Sequence, residues 1–438
     1  IGDMTALSNR AKPCRLEGDF MPTYPTKTLR KTAAFVIAVG LLMLSGRMLW
    51  TLKQPEREPK KTPVPLTIES WIYTGQLNDY MRSFEALHPQ YHIEVRTFRS
   101  QAQLFEELSA AISANAAPDV AEIGGLYGVA QLADSGMIVP LDEKIGAGLW
   151  TDLHPAFVSQ FTYKQYRWAL PFGGEIPAMF YNADLAGHAR LTFAQEGTSF
   201  PETMQAAKKM TLDVNGDGVT DHWGLAIDTD VPWYLFNWSL NGSNPFGDRD
   251  TVMRMLRSWQ QLTAGYQVME PSRHRFALSR FIDGKVGILI SSSRKVLLLD
   301  QYIGGKFSYG IAPFPLFEGQ NYVPNASGLV LLRTEPERER AALAMVNFFA
   351  DAAVQDSLLR MTGKIPARRS VMERMLTDEK AEPWERTVLG TTNRLVGTQP
   401  NVNDIRRWER FSEIAERIEL NSGMNLEWVA EELLEYIR

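Results

Sequence analysis

The chain has a single cysteine, Cys14, so neither a disulfide framework nor a thiolate metal site can be built within it. It also lacks a basic excess: 46 Lys and Arg stand against 51 Asp and Glu, for a net charge of −5. A nucleic-acid binder advertises itself by a basic patch, and none stands out. H-E-x-x-H, G-x-S-x-G and the P-loop lysine motif are all absent, which removes the common signatures of metalloproteases, serine hydrolases and nucleotide hydrolases. Carboxylate pairs suited to a glycosidase arise by chance among 51 acidic residues and carry little weight. No repeat of about 20–50 residues is visible, which argues against solenoids and propellers. What is present is a globular composition, 45% apolar and 22% charged. At 438 residues the chain exceeds one ordinary domain, and two lobes or more are expected. Eleven Trp, 14 Tyr and 21 Phe supply both core and ligand platforms.

The first 65 residues differ from the rest. Residues 1–31 read as a cytoplasmic or untranslated segment, with Met21 as the start. Lys27, Arg30 and Lys31 then precede the uncharged run "TAAFVIAVGLLMLSG". Basic residues followed by a short apolar core form the secretory-signal pattern. If Arg47 snorkels, "MLWTL" extends the run into an anchor, so 32–52 reads as signal peptide or membrane anchor. Residues 53–65 include the Pro-rich linker "KQPEREPKKTPVP". The mature part is expected outside the cytoplasm, free or anchored.

From Leu66 the pattern alternates strand and helix. "LTIESWIY" is β-like, and "GQLNDYMRSFEALHP" places Leu77, Tyr80, Met81, Phe84 and Leu87 at helical spacing before Pro89. "YHIEVRTF", "QAQLFEELSAAISANA", "PDVAEIGG" and "YGVAQLADSG" continue the alternation. A βαβαβα order implies an α/β fold with a mostly parallel sheet. Ligands of such sheets sit beyond the carboxyl ends of the strands. Those ends carry Trp71, Tyr73, Phe98, Arg99, Glu122, Gly124 and Gly125. The second half alternates less cleanly and ends in strongly helical segments.

One motif looks metallic. In "TLDVNGDGVTDHWG", Asp213, Asn215, Asp217 and Asp221 fall on side-chain positions of a calcium loop, Val219 on the carbonyl position and Gly218 on the turn. The last position, normally a bidentate Glu, is Gly224. A structural Ca²⁺ held by Asp213, Asn215, Asp217, Val219 and Asp221 is one expectation, with Asp228 or Asp230 filling the vacancy. A metal-free Asx-turn is the other.

The order of pieces resembles the extracellular solute-binding proteins of carbohydrate importers, a family that includes maltodextrin- and glycerol-3-phosphate-binding proteins. The matching pieces are "ESWIYTG", "AAPDVAEIGG", "WALPFGGEIPAMFYN", "FIDGKVGILISSS", "YGIAPFPL", "NASGLVLL" and "TGKIPARRS". The resemblance covers roughly Leu66 to Arg438. It implies a two-lobed, type II periplasmic-binding-protein-like fold, each lobe a mostly parallel sheet with flanking helices, joined by about three crossings. By position these fall near Gly174–Tyr181, Ser291–Arg294 and Ser327–Leu332. Lobe one is then 66–175 plus 292–330, and lobe two 176–291 plus 331–438. The Asp-rich loop precedes a strand, "WGLAID", so it is not an EF-hand.

A sugar offers hydroxyls at its rim and a C–H face, so its site wants aromatic plates and a few polar side chains. The candidates are Trp71, Tyr73 and Glu122 at strand ends, and Gly173, Gly174 and Glu175 at the first crossing. Trp233, Trp238 and Asn241 lie where the family's helix borders its cleft. Ser293 and Arg294 end the strand at the second crossing, and Asn325 and Ser327 precede the third. Lys364 and Arg368 fall in a family turn near the cleft. The resemblance implies a carbohydrate captured by hinge closure and delivered to membrane permease subunits of an ATP-driven importer. It implies no catalysis, no required cofactor, no nucleic acid and a monomer. Cations in the cleft would turn the preference to glycerol-3-phosphate or another anionic solute. A membrane-tethered sensor is the remaining alternative.

Overall fold

The computed structural model describes residues 65–193, 197–228, 248–317 and 320–435. The chain divides into two compact units, Ile1–Pro63 and Val64–Arg438. The first lies outside the described residues, and with it the signal or anchor and nearly all of the linker. No helix among the described residues is long and apolar enough to cross a membrane.

The second unit holds two main sheets. The first has six strands in the order β12-β6-β11-β3-β1-β2. They are β1 (Leu66–Ile72), β2 (Tyr91–Thr97), β3 (Val120–Gly124), β6 (Leu170–Glu175), β11 (Asn325–Leu331) and β12 (Ile365–Pro366). The second sheet has the order β10-β7-β9-β8, from β7 (Pro177–Asn182), β8 (Trp223–Ile227), β9 (Val286–Ser292) and β10 (Tyr309–Pro313). A small hairpin, β4 (Thr162–Tyr163) and β5 (Tyr166–Arg167), stands apart.

The strand ladders explain the composition of their sequences. β1 pairs in parallel with β2 and β3, and β3 is buried at every residue, as a parallel strand covered on both faces must be. β11 runs antiparallel between β3 and β6. In the second sheet β8 and β9 are parallel, and β7 runs against both β9 and β10. Each sheet is therefore mostly one-way with a reversed strand inserted, β11 in the first and β7 in the second, and the first also carries the short reversed strand β12 at its edge.

Helix α1 (Leu77–Leu87) buries Leu77, Tyr80, Met81 and Phe84 of the expected stripe, whereas Leu87, its last residue, is exposed. Helix α2 (Gln101–Ser113) starts at Ser100, whose hydroxyl accepts from the Gln103 N–H. Later helices are α3 (Arg249–Thr263), α4 (Lys295–Ile303), α5 (Pro336–Phe349), α6 (Ala352–Thr362), α7 (Arg369–Leu376), α8 (Pro383–Leu389), α9 (Asp404–Leu420) and α10 (Leu426–Glu435).

The first crossing falls where expected, between Glu175 and Pro177. The other two do not. After β9 the chain stays with the second sheet through α4 and β10, and returns only between Pro313 and Asn325. Helix α5 then packs on β1, β11 and α1, and α6 on β12 and β6. The last crossing lies between α7, which packs on β12, and α8, which packs on β10. Helices α9 and α10 pack on α3. The expected division therefore needs correcting: of 292–330 only β11 joins the first sheet, and 331–376 belongs with that sheet instead of the second. A strand's own residues specify its burial but not which sheet edge receives it.

Candidate ligand-binding site

A cleft of ≈ 680 Å³ opens at the carboxyl ends of the parallel strands. One wall comes from the first sheet: Tyr73 and Gln76 after β1, Arg99 to Ala102 at the start of α2, Tyr127 after β3, and Glu175 at the end of β6. The opposite wall is Asp228 after β8, Ser291 and Ser292 of β9, and then Arg294. Helix α4 completes it with Lys295, Leu298 and Tyr302 on one face, at the i, i+3, i+7 spacing that aligns side chains.

The floor is built by strand register. In an antiparallel pair, directly opposed residues share a face. β11 sets Asn325 against Glu175, Ser327 against Gly124 and Leu329 against Glu122, so the polar members form one layer. Lys364, wholly buried, lies on that layer. Its ammonium donates to Glu175 Oε1 at 3.3 Å and to Ser327 Oγ at 2.5 Å. It stands 3.9 Å from Glu122 Oε1 and 5.1 Å from the Tyr73 ring centroid. The Tyr73 hydroxyl and Ser327 Oγ are bonded at 2.9 Å. Glu122 accepts from the Tyr73 and Thr74 N–H groups at 2.9 and 2.8 Å and from the Thr74 hydroxyl at 2.6 Å.

Glu175 faces both sheets. Beyond Lys364 it accepts from the Ser292 hydroxyl at 2.6 Å and from Arg294 Nη1 at 3.1 Å. Burial pushes its carboxyl up, but the Lys364 and Arg294 cations and the Ser292 bond outweigh burial and hold it at about 2. Burial pushes the Lys364 ammonium down, against the pull of Glu175. The Tyr73 hydroxyl is raised by burial and then by Glu122 and Glu175. On the far wall Asp228 accepts from Ser291 at 2.8 Å and pairs with Lys295 at 3.1 Å.

Of the residues expected here, Tyr73, Glu175 and Arg294 line the cleft. Glu122 and Ser327 stand directly behind it and hold Tyr73. The others have different work. Trp71 is 3% exposed, packs on Phe98 at 5.1 Å under the Arg96 guanidinium, and donates its indole N–H to Glu69; it is core, not a plate. A Cβ on Gly173 would stand 2.7 Å from the Ile365 carbonyl, and one on Gly174 2.9 Å from that of Asn325. These glycines let strands pack closely and do not admit a ligand. Ser293 is buried; its hydroxyl accepts from the Ile176 N–H at 3.3 Å and donates to the Gly363 carbonyl at 3.0 Å, tying the crossing to the end of α6. The Asn325 amide is buried and makes no hydrogen bond among the described residues. Arg368 turns away, to Asp152 at 2.6 Å and the Ala350 carbonyl at 3.3 Å. Trp233, Trp238 and Asn241 lie outside the described residues, as does Asp230. Sequence reasoning missed Gln76, Tyr127 and the α4 face. The spacing of Lys295, Leu298 and Tyr302 was the available signal for that face.

The Asp-rich loop is closed on itself. Asp213 accepts from the Gly216 and Gly218 N–H groups at 2.7 and 2.8 Å, Asn215 from Asp217, Asp217 from Val219, and Asp221 from Val214. Both glycines have positive φ, 75° and 84°, which the turn requires. Gly224 is in β8, where a Cβ would meet the Ala207 carbonyl at 1.8 Å, so no Glu fits the twelfth position. Asp228 belongs to the cleft and not to this loop. Among the described residues no three His, Cys, Asp or Glu side chains converge as a metal site.

Residues 79–387 match the family described as bacterial extracellular solute-binding protein, and the chain belongs to that family. A related chain is the sn-glycerol-3-phosphate-binding periplasmic protein UgpB of Agrobacterium fabrum, 25% identical over 222 residues, covering 47% of this chain and 50% of that one. The chain thus spans half the length of that relative. Among solved structures, the maltose/maltodextrin-binding domain of Bdellovibrio bacteriovorus bound to maltotriose has a TM-score of 0.68 at 17% identity, covering 85% of this chain and 98% of the other. UgpB of Mycobacterium tuberculosis in complex with glycerophosphocholine has a TM-score of 0.71 at 18% identity, covering 85% and 97%. The fold is that of the two-lobed type II periplasmic binding proteins.

Proposed function

We propose that this chain is the extracytoplasmic substrate-capturing component of an ATP-driven importer. It takes a neutral saccharide or polyol into the cleft between its two sheets, closes on it, and passes it unchanged to a membrane permease. One observation carries the choice of a neutral ligand: the charges at the cleft floor oppose one another. Lys364 and Arg294 face Glu122 and Glu175, and Lys295 faces Asp228. Such pairs leave lone pairs and N–H groups to bond hydroxyls but no surplus charge for an anion. Tyr302, 56% exposed, and Leu298 offer apolar surface to a sugar's C–H face. The protein acts as a monomer, and residues 32–52 either direct its export or anchor it.

A second reading has its own support. Arg99 is exposed at the lip, forms no ion pair among the described residues, and adjoins the N-terminus of α2, where an anion is favoured. A glycerol phosphate would be held there. Thermal unfolding of the chain from Val64 onward, screened against sugars, polyols, sugar phosphates and amino acids, separates the two. A ligand at 100 times its Kd adds about 2.7 kcal/mol. A shift with a neutral saccharide and no product is the expected result, whereas a shift confined to phosphorylated compounds overturns the neutral reading. Calcium and chelator arms test the Asp-rich loop, which we read as a weak calcium site on its spacing alone. A rise in Tm with millimolar Ca²⁺ that Asp213→Asn abolishes supports that site, and an unchanged Tm leaves an Asx-turn.

A further inference from the structure

Lys364 does not line the cleft, yet each polar group it touches either lines the cleft or holds a residue that does. Glu175 lines it, Ser327 is bonded to the Tyr73 hydroxyl, and Glu122 holds the Tyr73 backbone. Glu175 Oε1 is shared between Lys364 at 3.3 Å, from the turn after α6, and Arg294 at 3.1 Å, from the corner after β9. The geometry points to Lys364 as a positioning residue for this cleft: out of a ligand's reach, it grips Glu175 and Ser327 from behind and sets the Glu175 carboxylate, the Tyr73 hydroxyl and the Arg294 guanidinium as one bonding surface.

The chemistry suits a lysine. A compact ammonium carries three donors on a flexible stem; its acceptors here come from β6 and β11, and β3 supplies the opposing charge of Glu122 at 3.9 Å. It is fully enclosed, and a buried cation is stable only among opposite charges and acceptors. Its presence divides the Glu175 charge between two cations, one beside each sheet. Arg294, 29% exposed in its side chain, therefore neutralises only part of the carboxylate and keeps donors turned to the cleft. Without Lys364 it would be the sole cation on Glu175 and would be drawn off the ligand.

This rests on the reading of the cleft as the ligand site, but its test needs no ligand, so the two fail separately. The Glu175 carboxyl resonance is followed by ¹³C NMR from pH 2.5 to 8, in the native protein and in Lys364→Met. The groups facing Glu175 are Lys364, Arg294, Ser292, Tyr73 and, beyond Lys364, Glu122. In the native protein Glu175 stays ionised down to about pH 3, since its folded value lies near 2 and below the ordinary 4.5. The stability this gives is complete above pH 4.5 and is lost as the pH falls towards 2. In Lys364→Met the midpoint rises by about one to three pH units, the usual effect of one adjacent cation, and the Tyr73 ring and Arg294 side-chain resonances titrate with it. A folded Lys364→Met with an unchanged Glu175 midpoint overturns the proposal. So does a native midpoint at or above 4.5, a measurement that stands even if the variant fails to fold. A rise in Arg294→Gln with none in Lys364→Met would give the role to Arg294.

Discussion

Burial raises the Glu175 and Asp404 carboxyls alike, and neighbouring cations overturn that rise only at Glu175. Asp404 opens α9, accepts from the Asn401 N–H at 2.7 Å and stands 3.6 Å from Arg407. Burial nonetheless pushes its carboxyl up to about 6. A folded value above the unfolded 3.8 means that the native state holds the proton more tightly. The resulting stability is present below pH 3.8 and is lost as the pH rises through 6. Asp404→Asn keeps the acceptor for Asn401 and removes the charge. It is expected to be more stable than the native protein by about 1–2 kcal/mol at pH 8, since each tenfold change in proton affinity is worth about 1.4 kcal/mol, and equal to it at pH 4. Urea unfolding at both values checks this. Sequence reasoning reached Tyr73, Glu175 and Arg294 because each stands at or just past a strand end. It could not place Lys364 as buried, because its partners Glu175 and Ser327 are 189 and 37 positions away. Trp71 was misplaced for a related reason: an indole at a strand end serves as plate or core according to what packs on it, here Phe98 and Arg96.

At the scale of elements, the end of α6 is where the first sheet's helices touch the corner of the second. Gly363 has φ 70°, and a Cβ there would lie 2.6 Å from the Arg294 Cα, a backbone atom that cannot yield. Gly305, φ 80°, has nothing within 4 Å of such a Cβ and so isolates the conformational cost. Gly305→Ala should cost about 1–2 kcal/mol, the left-handed penalty alone. Gly363→Ala should cost more and should also weaken ligand binding, since Arg294 must move. Equal costs and equal affinity would show the contact to be soft. The elements themselves were legible from their two-residue and 3.6-residue periods, which are local properties. Sheet membership was not, because nothing in the residues of β10 or β11 names the strands they pair with: β10 takes the edge beside β7, and β11 is inserted between β3 and β6. The Asp-rich loop was legible as a turn, and Gly224 was legible as an exception, but the crowding by Ala207 that requires it was not.

At the largest scale, the described residues from 65 onward build two main sheets joined by three passages of chain, with the cleft between them. Ligand that bonds both walls favours a closed arrangement. Small-angle scattering of the chain from Val64 onward, with and without the solute found by thermal screening, should show a smaller radius of gyration when loaded. An unchanged radius would mean that capture does not move the lobes. The placement of charge divides the response to ionic strength. Glu175 and Lys364 are enclosed, 6% and 0% exposed in their side chains, where dissolved ions screen little. Arg99 stands exposed at the lip, within the ionic atmosphere. Added salt therefore slows the arrival of an anionic solute, leaves that of a neutral saccharide unchanged, and hardly affects how long either stays.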